Sequence, residues 1–195
     1  MKLISLILGC ILFSANCFAS TTTTVTSTTT TKTTNYVACN QPYALCTTAP
    51  CTPIPGTKDQ SICSCVVKDG ASIGALSCDK RKPATSSTGQ LLLTSNFSFE
   101  NSATNKVLTC TGNHAWTNCL DKPCIVDPHN SNQATCTCDI KYSEKFLTYG
   151  GQCSQASCET TLYSGASFEM NDETIQTALK ALNLTKSPMQ NCPAT

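Results

Sequence analysis

Two stretches of the chain share one cysteine pattern: YALCTTAPCTPIPGTKDQSICSCVVK at Tyr43–Lys68 and WTNCLDKPCIVDPHNSNQATCTCDIK at Trp116–Lys141. An offset of 73 residues superposes four cysteines of the first stretch on four of the second without a gap. Two prolines, a glutamine and the final lysine match at the same offset, and Tyr43 falls opposite Trp116. We therefore predict that the chain contains two tandem repeats.

The match extends to the flanks with small shifts. Cys39 corresponds to Cys110 at an offset of 71, and Cys78 corresponds to Cys153 at an offset of 75. Each repeat then holds six cysteines, enough for three disulfides whose connectivity the sequence does not decide. Cys158 and Cys192 remain in the C-terminal extension, and we expect these two to pair with each other.

The N-terminus has the layout of a secretory signal peptide over residues 1–19. Lys2 is followed by an apolar run that is too short to span a membrane, and Ala19 provides a small residue at the cleavage point. A lipoprotein signal ending at Cys10 is the alternative. Residues 20–35 consist almost entirely of Thr and Ser, which offer little to bury, so we predict a disordered linker.

Cysteine is 16 of 195 residues, the level of a disulfide scaffold in a secreted chain. Two cysteines leave with the signal peptide, and the remaining 14 are expected to form seven disulfides in an oxidising compartment. The predicted disulfide cysteines are Cys39, Cys46, Cys51, Cys63, Cys65, Cys78, Cys110, Cys119, Cys124, Cys136, Cys138, Cys153, Cys158 and Cys192.

The predicted fold class is small, disulfide-rich and mainly β, with short strands and one C-terminal α-helix. Repeat 1 covers residues 36–105, and repeat 2 with the helix covers residues 106–195. Apolar residues recur at helical spacing over Asp172 to Leu184, which places the helix there. Each Cys-x-Cys segment is expected to be a strand with both cysteines on one face.

Few residues suggest catalysis or metal binding. His114 and His129 are the only histidines, neither has a counterpart in the other repeat, and both are interpreted as surface-loop residues. Cys-x-Cys near His129 is compatible with zinc, although the usual knuckle spacing is missing. Asp127, Asn130 and Asn132 are compatible with calcium or with a simple Asx-turn loop, and we favour the turn. No catalytic, cofactor or metal residue is predicted.

Charged clusters are also interpreted structurally. Glu169, Asp172 and Glu173 lie at the predicted helix start, where acids favour the helix dipole. The stretch Asp79–Pro83 contains three cations and is predicted to be a charged, flexible loop, with an anion-binding patch as the alternative. A net charge of +1 argues against nucleic-acid binding, and we expect a monomer without stable membrane insertion.

The architecture favours binding. The loops Cys51–Cys63 and Cys124–Cys136 keep their length but differ in sequence, as recognition loops on a fixed frame do. Tyr43 and Trp116 are candidate partner-binding residues because their rings can stack on sugars, with packing against the disulfides as the alternative. The expected function is binding of an extracellular protein or glycan. A double-headed hydrolase inhibitor and an enzyme of unrecognised type are the alternatives.

The signal sequence and the LC-x4-C-x11-C-x-C frame resemble those of small cysteine-rich proteins exported by bacterial type II secretion. The resemblance implies an extracellular virulence or host-interaction factor, and it assigns no site residue. A eukaryotic secreted protein is the alternative source. In that case Asn96 and Asn183 lie in glycosylation motifs.

Overall fold

The structure is a computed structural model. It describes residues 36–46, 49–98, 106–149, 153–154, 158–159, 162–168, 170, 176–177, 180, 183 and 191–192. The predicted signal peptide, the Thr-rich linker and most of the predicted helix lie outside these residues and stay predictions. All described residues belong to one compact unit, Thr34–Thr195.

The described residues form twelve strands and one short helical element, so the prediction of a mainly β, disulfide-rich fold is confirmed. The strands are β1 (Val37–Asn40), β2 (Tyr43–Leu45), β3 (Cys51–Pro53), β4 (Gln60–Lys68), β5 (Ala71–Gly74), β6 (Ala84–Thr85), β7 (Leu91–Thr94), β8 (Phe97–Ser98), β9 (Val107–Asn118), β10 (Pro123–Asp127), β11 (Asn130–Tyr149) and β12 (Ser164–Ser167). A 3-10 turn covers Cys78–Arg81. Among the described residues, no helix has the length and apolar character that crossing a membrane requires.

The long strand β11 organises the larger sheet. It pairs antiparallel with β9, β10 and β4, and β4 in turn carries β2 and β3. At the centre of the β4–β11 pairing, Cys63 lies opposite Cys136. A second sheet contains three strands in the order β1-β5-β8.

The cysteines of the central strands all point to one side, as predicted. Along β4 the side chains of Ser61, Cys63 and Cys65 are buried while the residues between them are exposed. Cys136 and Cys138 on β11 are fully buried in the same way. Since successive side chains of a strand point to opposite faces, the sheet covers a cystine-rich core with one face and leaves the other face open.

The strand registers recur at the offset found in the sequence. Tyr43 pairs with Lys68 between β2 and β4, and Trp116 pairs with Lys141 between β9 and β11. Cys51 pairs with Cys63 between β3 and β4, as Cys124 pairs with Cys136 between β10 and β11. In both cases, adding 73 to each residue number converts the first pairing into the second.

The two halves of the chain also exchange strands. Strand β7, from the first half, pairs with β10 in the second half, where Leu93 lies opposite Cys124. In return, Tyr163 forms an antiparallel bridge with Pro50, and the backbone N–H of Cys51 donates to the Leu162 carbonyl at 3.1 Å. Because each half completes the sheet of the other, they are intertwined rather than merely linked.

Fourteen cysteines form seven disulfides, which confirms the predicted number. The pairs are Cys39–Cys78, Cys46–Cys65, Cys51–Cys63, Cys110–Cys158, Cys119–Cys138, Cys124–Cys136 and Cys153–Cys192. The four inner pairs follow one connectivity in both halves, with sequence separations of 19 and 12.

The expected pairing of Cys158 with Cys192 is wrong. Cys158 bonds to Cys110, and Cys192 bonds to Cys153. The N–H of Cys192 donates to the carbonyl of Val107 at 2.8 Å, so the end of the chain lies along the start of β9. The expectation rested on elimination, which cannot detect that the C-terminal segment returns to the sheet.

Candidate functional site: two disulfide-braced hairpins

The predicted recognition loops are the tips of two β-hairpins. Strands β3 and β4 form the first hairpin, and strands β10 and β11 form the second. In each, a disulfide joins two directly opposite residues, with Cα atoms 4.2 Å apart. This cross-strand bond fixes the register of the hairpin next to its tip.

The tip of the first hairpin is a tight turn stabilised by its own backbone. The N–H of Thr57 donates to the carbonyl of Ile54 at 3.1 Å, and the N–H of Ile54 donates to Gln60 at 3.0 Å. Gly56 has a φ of 84°, as the third position of a type II turn after Pro55 requires. The side chains of residues 55–59 are exposed, so the tip presents Lys58 on a fixed backbone.

The tip of the second hairpin is held by side chains. Asp127 Oδ1 accepts the N–H of His129 at 2.8 Å, and Asn130 Oδ1 accepts the N–H of Asn132 at 3.2 Å. These are the bonds of Asx turns, the interpretation that the sequence favoured over calcium. His129 is exposed at this tip, as expected for a surface-loop residue.

The two tips lie at opposite ends of the sheet. Gln60, beside the first tip, pairs with Asp139, whereas Val66 at the other end of β4 pairs with Gln133, close to the second tip. Six residues separate these pairs along β4, which is about 20 Å of extended strand before either tip is added. A small-molecule ligand therefore cannot contact both tips at once.

Beneath the sheet, the eight inner cysteines form one buried cluster. The Sγ atoms of Cys46 and Cys136 are 3.3 Å apart, and those of Cys119 and Cys63 are 3.5 Å apart, although neither pair is bonded. Sulfurs of Cys46, Cys119 and Cys138 also lie within 4.8 Å of one another. Because each of these sulfurs is in a disulfide, none is a thiolate that can ligate zinc, and the Cys-x-Cys zinc hypothesis has no ligands here.

The two aromatic candidates for partner binding are structural. Tyr43 is 2% exposed and Trp116 is 3% exposed, so neither offers a ring face to a partner. Trp116 stacks on Phe146 with ring centroids 5.5 Å apart, and its Nε1 donates to Ser143 Oγ at 2.8 Å. Burial therefore contradicts the sugar-stacking hypothesis for both residues, and Trp116 packs in one cluster with the disulfide-bonded Cys110 and Cys158.

Two exposed aromatics were missed by the sequence analysis. Tyr142 is 66% exposed and Phe168 is 43% exposed, with Lys145 Nζ 5.4 Å from the Phe168 ring centroid. Tyr142 follows Cys136 and Cys138 at even spacing, so strand alternation places it on the buried face. It is exposed because β11 continues past the end of the cystine core, and no pattern in the sequence marks that end.

The basic stretch Asp79–Pro83 is not the flexible loop that was predicted. Its first three residues lie in the 3-10 turn, and the Arg81 side chain is completely buried, where its Nη2 donates to the Val37 carbonyl at 2.8 Å. Burial lowers the pKa of Arg81, and the charge of Asp121 offsets part of that effect. An exposed ion pair of 2.7 Å between Lys82 and Asp79 raises the pKa of Lys82 and lowers that of Asp79.

Arg81 belongs to a polar cluster that connects both halves of the chain. Asp121 accepts bonds from the N–H groups of Ala75 and Leu76 at 2.6 and 3.0 Å, and from Asn96 Nδ2 at 3.1 Å. Gly74 makes room for these groups, because a Cβ there would lie 2.6 Å from Arg81 Nη1.

The remaining candidates stay apart. His114 lies within strand β9 and is half-buried, so its interpretation as a surface-loop residue is wrong. Its Nε2 lies 3.9 Å from Glu159. The acidic residues Glu169, Asp172 and Glu173 lie outside the described residues. Apart from this contact of His114 with Glu159, the described residues bring none of the predicted candidate acids, bases or nucleophiles together.

Comparison with known protein families, with curated proteins and with solved structures finds no match to this chain.

Proposed function

We propose that this chain is a secreted, disulfide-stabilised, two-repeat protein that binds extracellular partners through its two hairpin tips. Seven disulfides indicate an oxidising environment for the folded protein. Secretion by the signal peptide at residues 1–19, and bacterial type II export as a host-interaction factor, are parts of the proposal that rest on the sequence.

The internal duplication is supported by register as well as by sequence. The inner disulfides and the pairings of β2, β3 and β4 recur at an offset of 73 in β9, β10 and β11. Position Cys63 pairs with its own counterpart, Cys136, in the antiparallel β4–β11 contact. That arrangement is the signature of two copies related by a local two-fold axis, as in a symmetric dimer.

We infer a binding function from the contrast between the buried cysteine frame and the exposed hairpin tips. The cysteine frame is buried and recurs in both halves, while the tips are exposed, braced by equivalent disulfides and different in sequence. A rigid loop loses little conformational entropy on binding, so a braced tip is suited to recognition. Since the tips lie at opposite ends, we infer that the protein bridges two partner molecules.

The test is a binding screen of the full mature chain on arrays of extracellular proteins and glycans. Lys58→Ala in the first tip and His129→Ala in the second are each expected to abolish a different subset of the signals. Lys80→Ala removes an exposed charge outside the tips and serves as the control, which should bind normally. Signals that survive both tip substitutions in folded protein contradict the proposal.

Glycan binding at the exposed aromatics is the second candidate for the same protein. Tyr142 and Phe168 are exposed rings, and aromatic faces bind sugars by stacking. Glycan signals lost in Tyr142→Ala or Phe168→Ala, but kept in the tip variants, favour this candidate.

Protease inhibition remains the alternative for the tips themselves. A loop held by a disulfide and by its own hydrogen bonds, as at Ile54–Gln60, is also the form in which inhibitors present themselves to an enzyme. Inhibition of a trypsin-like protease that disappears in Lys58→Ala supports inhibition over simple binding.

A further inference from the structure

We propose that Cys51 is a site of thiol modification and that its modification triggers disulfide exchange between the two halves of the protein. The inference concerns the buried cystine cluster and is independent of what the tips bind. It follows from three observations: the partial exposure of one cysteine residue, the contact between sulfurs of two disulfides and the difference in burial between the two halves.

Cys51 is the accessible member of the cluster. It is half-buried, whereas the other seven cysteines are at most 2% exposed: Cys46, Cys63, Cys65, Cys119, Cys124, Cys136 and Cys138. An external thiolate reacts with the disulfide sulfur that it can reach. Because Cys51 is the one residue of these eight with more than 2% exposure, we infer that a small thiol such as glutathione attacks there first.

The first step leaves a buried nucleophile. The glutathione thiolate forms a bond to Cys51 Sγ, the Cys51–Cys63 bond breaks, and Cys63 leaves with the electron pair as a thiolate. No further oxidant or reductant is consumed. The product carries glutathione on Cys51 and a reactive sulfur at the centre of the β4–β11 contact.

The second step is set by distance. Cys63 Sγ lies 3.5 Å from Cys119 Sγ, which is bonded to Cys138. The Cys63 thiolate attacks Cys119, a Cys63–Cys119 bond forms, and the Cys119–Cys138 bond breaks with the pair leaving on Cys138, which then takes a proton from solvent. Sulfurs held in contact react at a far higher effective concentration than dissolved thiol provides. The result is a covalent bond between β4 and the loop after β9.

The corresponding path in the other half is closed to the external thiol. Cys136 Sγ is even nearer to its neighbour Cys46, at 3.3 Å, but its partner Cys124 is fully buried. The two halves therefore differ in whether an external thiol can reach the first disulfide, while both have sulfurs close enough for the second step. A small thiol thus initiates exchange from the first hairpin.

The experiment treats the oxidised full-length mature chain with reduced glutathione and then alkylates free thiols at acidic pH. Peptic digestion without reduction and fragmentation of the peptides identify the state of each sulfur. The expected product has glutathione on Cys51, a Cys63–Cys119 link and an alkylated Cys138. Glutathione on Cys51 with an alkylated Cys63 and an intact Cys119–Cys138 bond overturns the proposal, as does a cluster that glutathione leaves unmodified.

Paired variants test the asymmetry. The double variant C51A/C63A removes the initiating disulfide and should keep Cys119–Cys138 intact under the same treatment. The matched control C124A/C136A removes the corresponding disulfide of the second hairpin and should still form the Cys63–Cys119 link. Loss of the link in a folded control contradicts the proposal, and the wild-type mapping decides the matter if either variant fails to fold.

Discussion

The two ends of the molecule use corresponding strands around different cores. At one end, β1, β5 and β8 pair with Cys39 opposite Ser72 and Ser72 opposite Ser98. At the other end, β9, β11 and β12 pair with Cys110 opposite Phe146 and Phe146 opposite Ser167. The antiparallel pairings correspond, although β12 also pairs parallel with β9, but the packing differs. In the first set the apolar residues Ala38, Ile73 and Phe97 form a cluster beside the polar groups around Arg81, whereas Trp116 and Phe146 form an aromatic stack in the second.

In the first half the strands are interrupted at positions where the corresponding strands of the second half are continuous, and the sequence shows why. Pro42 lies between β1 and β2 and has no N–H to donate, and Gly70, with a φ of 130°, lies between β4 and β5. The corresponding strands β9 and β11 continue without a break, with a register shift between Ser143 and Lys145. The inner strands therefore keep the same pairing and the same disulfides in both halves, whereas the outer strands pack around different side chains.

The largest effect is expected from removing the aromatic core. Trp116→Ala deletes a ring that is 3% exposed and stacked on Phe146, so we expect a loss of about 3–5 kcal/mol in the free energy of unfolding. Tyr142→Ala, an exposed aromatic on the neighbouring strand, is the control and should change stability by less than about 0.5 kcal/mol. Denaturant unfolding measures both, and equal losses would show that the stack does not stabilise this end.

Removing corresponding inner disulfides is expected to cost similar amounts in the two halves. C46A/C65A and C119A/C138A each open a cross-link with a sequence separation of 19, worth about 3 kcal/mol in unfolded-state entropy. Thermal unfolding of both double variants measures the costs. Losses that differ by more than about 2 kcal/mol contradict the view that the two inner frames are equivalent.

In the polar cluster, we expect replacement of Asp121 to lower the free energy of unfolding more than replacement of the buried Arg81. Asp121→Asn weakens an acceptor of three hydrogen bonds and removes the charge near buried Arg81, so we expect a loss of about 1–3 kcal/mol. Arg81→Met keeps most of the packing and removes the cost of burying a charge, so its effect should stay within about 1 kcal/mol. Urea unfolding distinguishes the two, and a reversed order contradicts the account of this cluster.

The smallest effect is expected at Asp139. Burial would raise its pKa, but the hydrogen bond and charge of Lys122 at 2.8 Å, with Lys141 at 3.6 Å, hold the pKa below its ordinary value. A lowered pKa in the folded state contributes stability above the unfolded-state pKa of about 4, and this contribution is lost as the pH falls through the folded-state pKa. Asp139→Asn should therefore cost about 0.5 kcal/mol at neutral pH and nothing in strong acid. A cost that is independent of pH contradicts the ion-pair explanation.

Much of the fold was predictable because cysteine spacing and strand alternation are local signals. The sequence predicted the mainly β, disulfide-rich class, the number of disulfides and the shared face of Cys63 and Cys65, and the structure confirms all three. The predicted C-terminal helix falls mostly outside the described residues and stays a prediction.

Pairings that depend on long-range approach were not predictable. The bonds of Cys158 to Cys110 and of Cys192 to Cys153 require a chain end that returns to β9, and spacing carries no information about that return. The burial of Arg81 was not predicted for a similar reason. A run of charged residues is typical of a solvent-exposed loop, and only the folded structure shows that the backbone carbonyl of Val37 accepts a hydrogen bond from Arg81. The hairpin tips were found as candidates because their lengths match while their sequences differ.

The central claim is that one disulfide frame occurs twice and presents a braced hairpin at each end. Peptide mapping of the untreated, non-reduced mature protein by mass spectrometry tests it most directly. The account predicts Cys46–Cys65 with Cys51–Cys63 and, at the same spacings, Cys119–Cys138 with Cys124–Cys136. A native protein in which either half pairs its four inner cysteines differently, or bonds one of them to the other half, would contradict the claim.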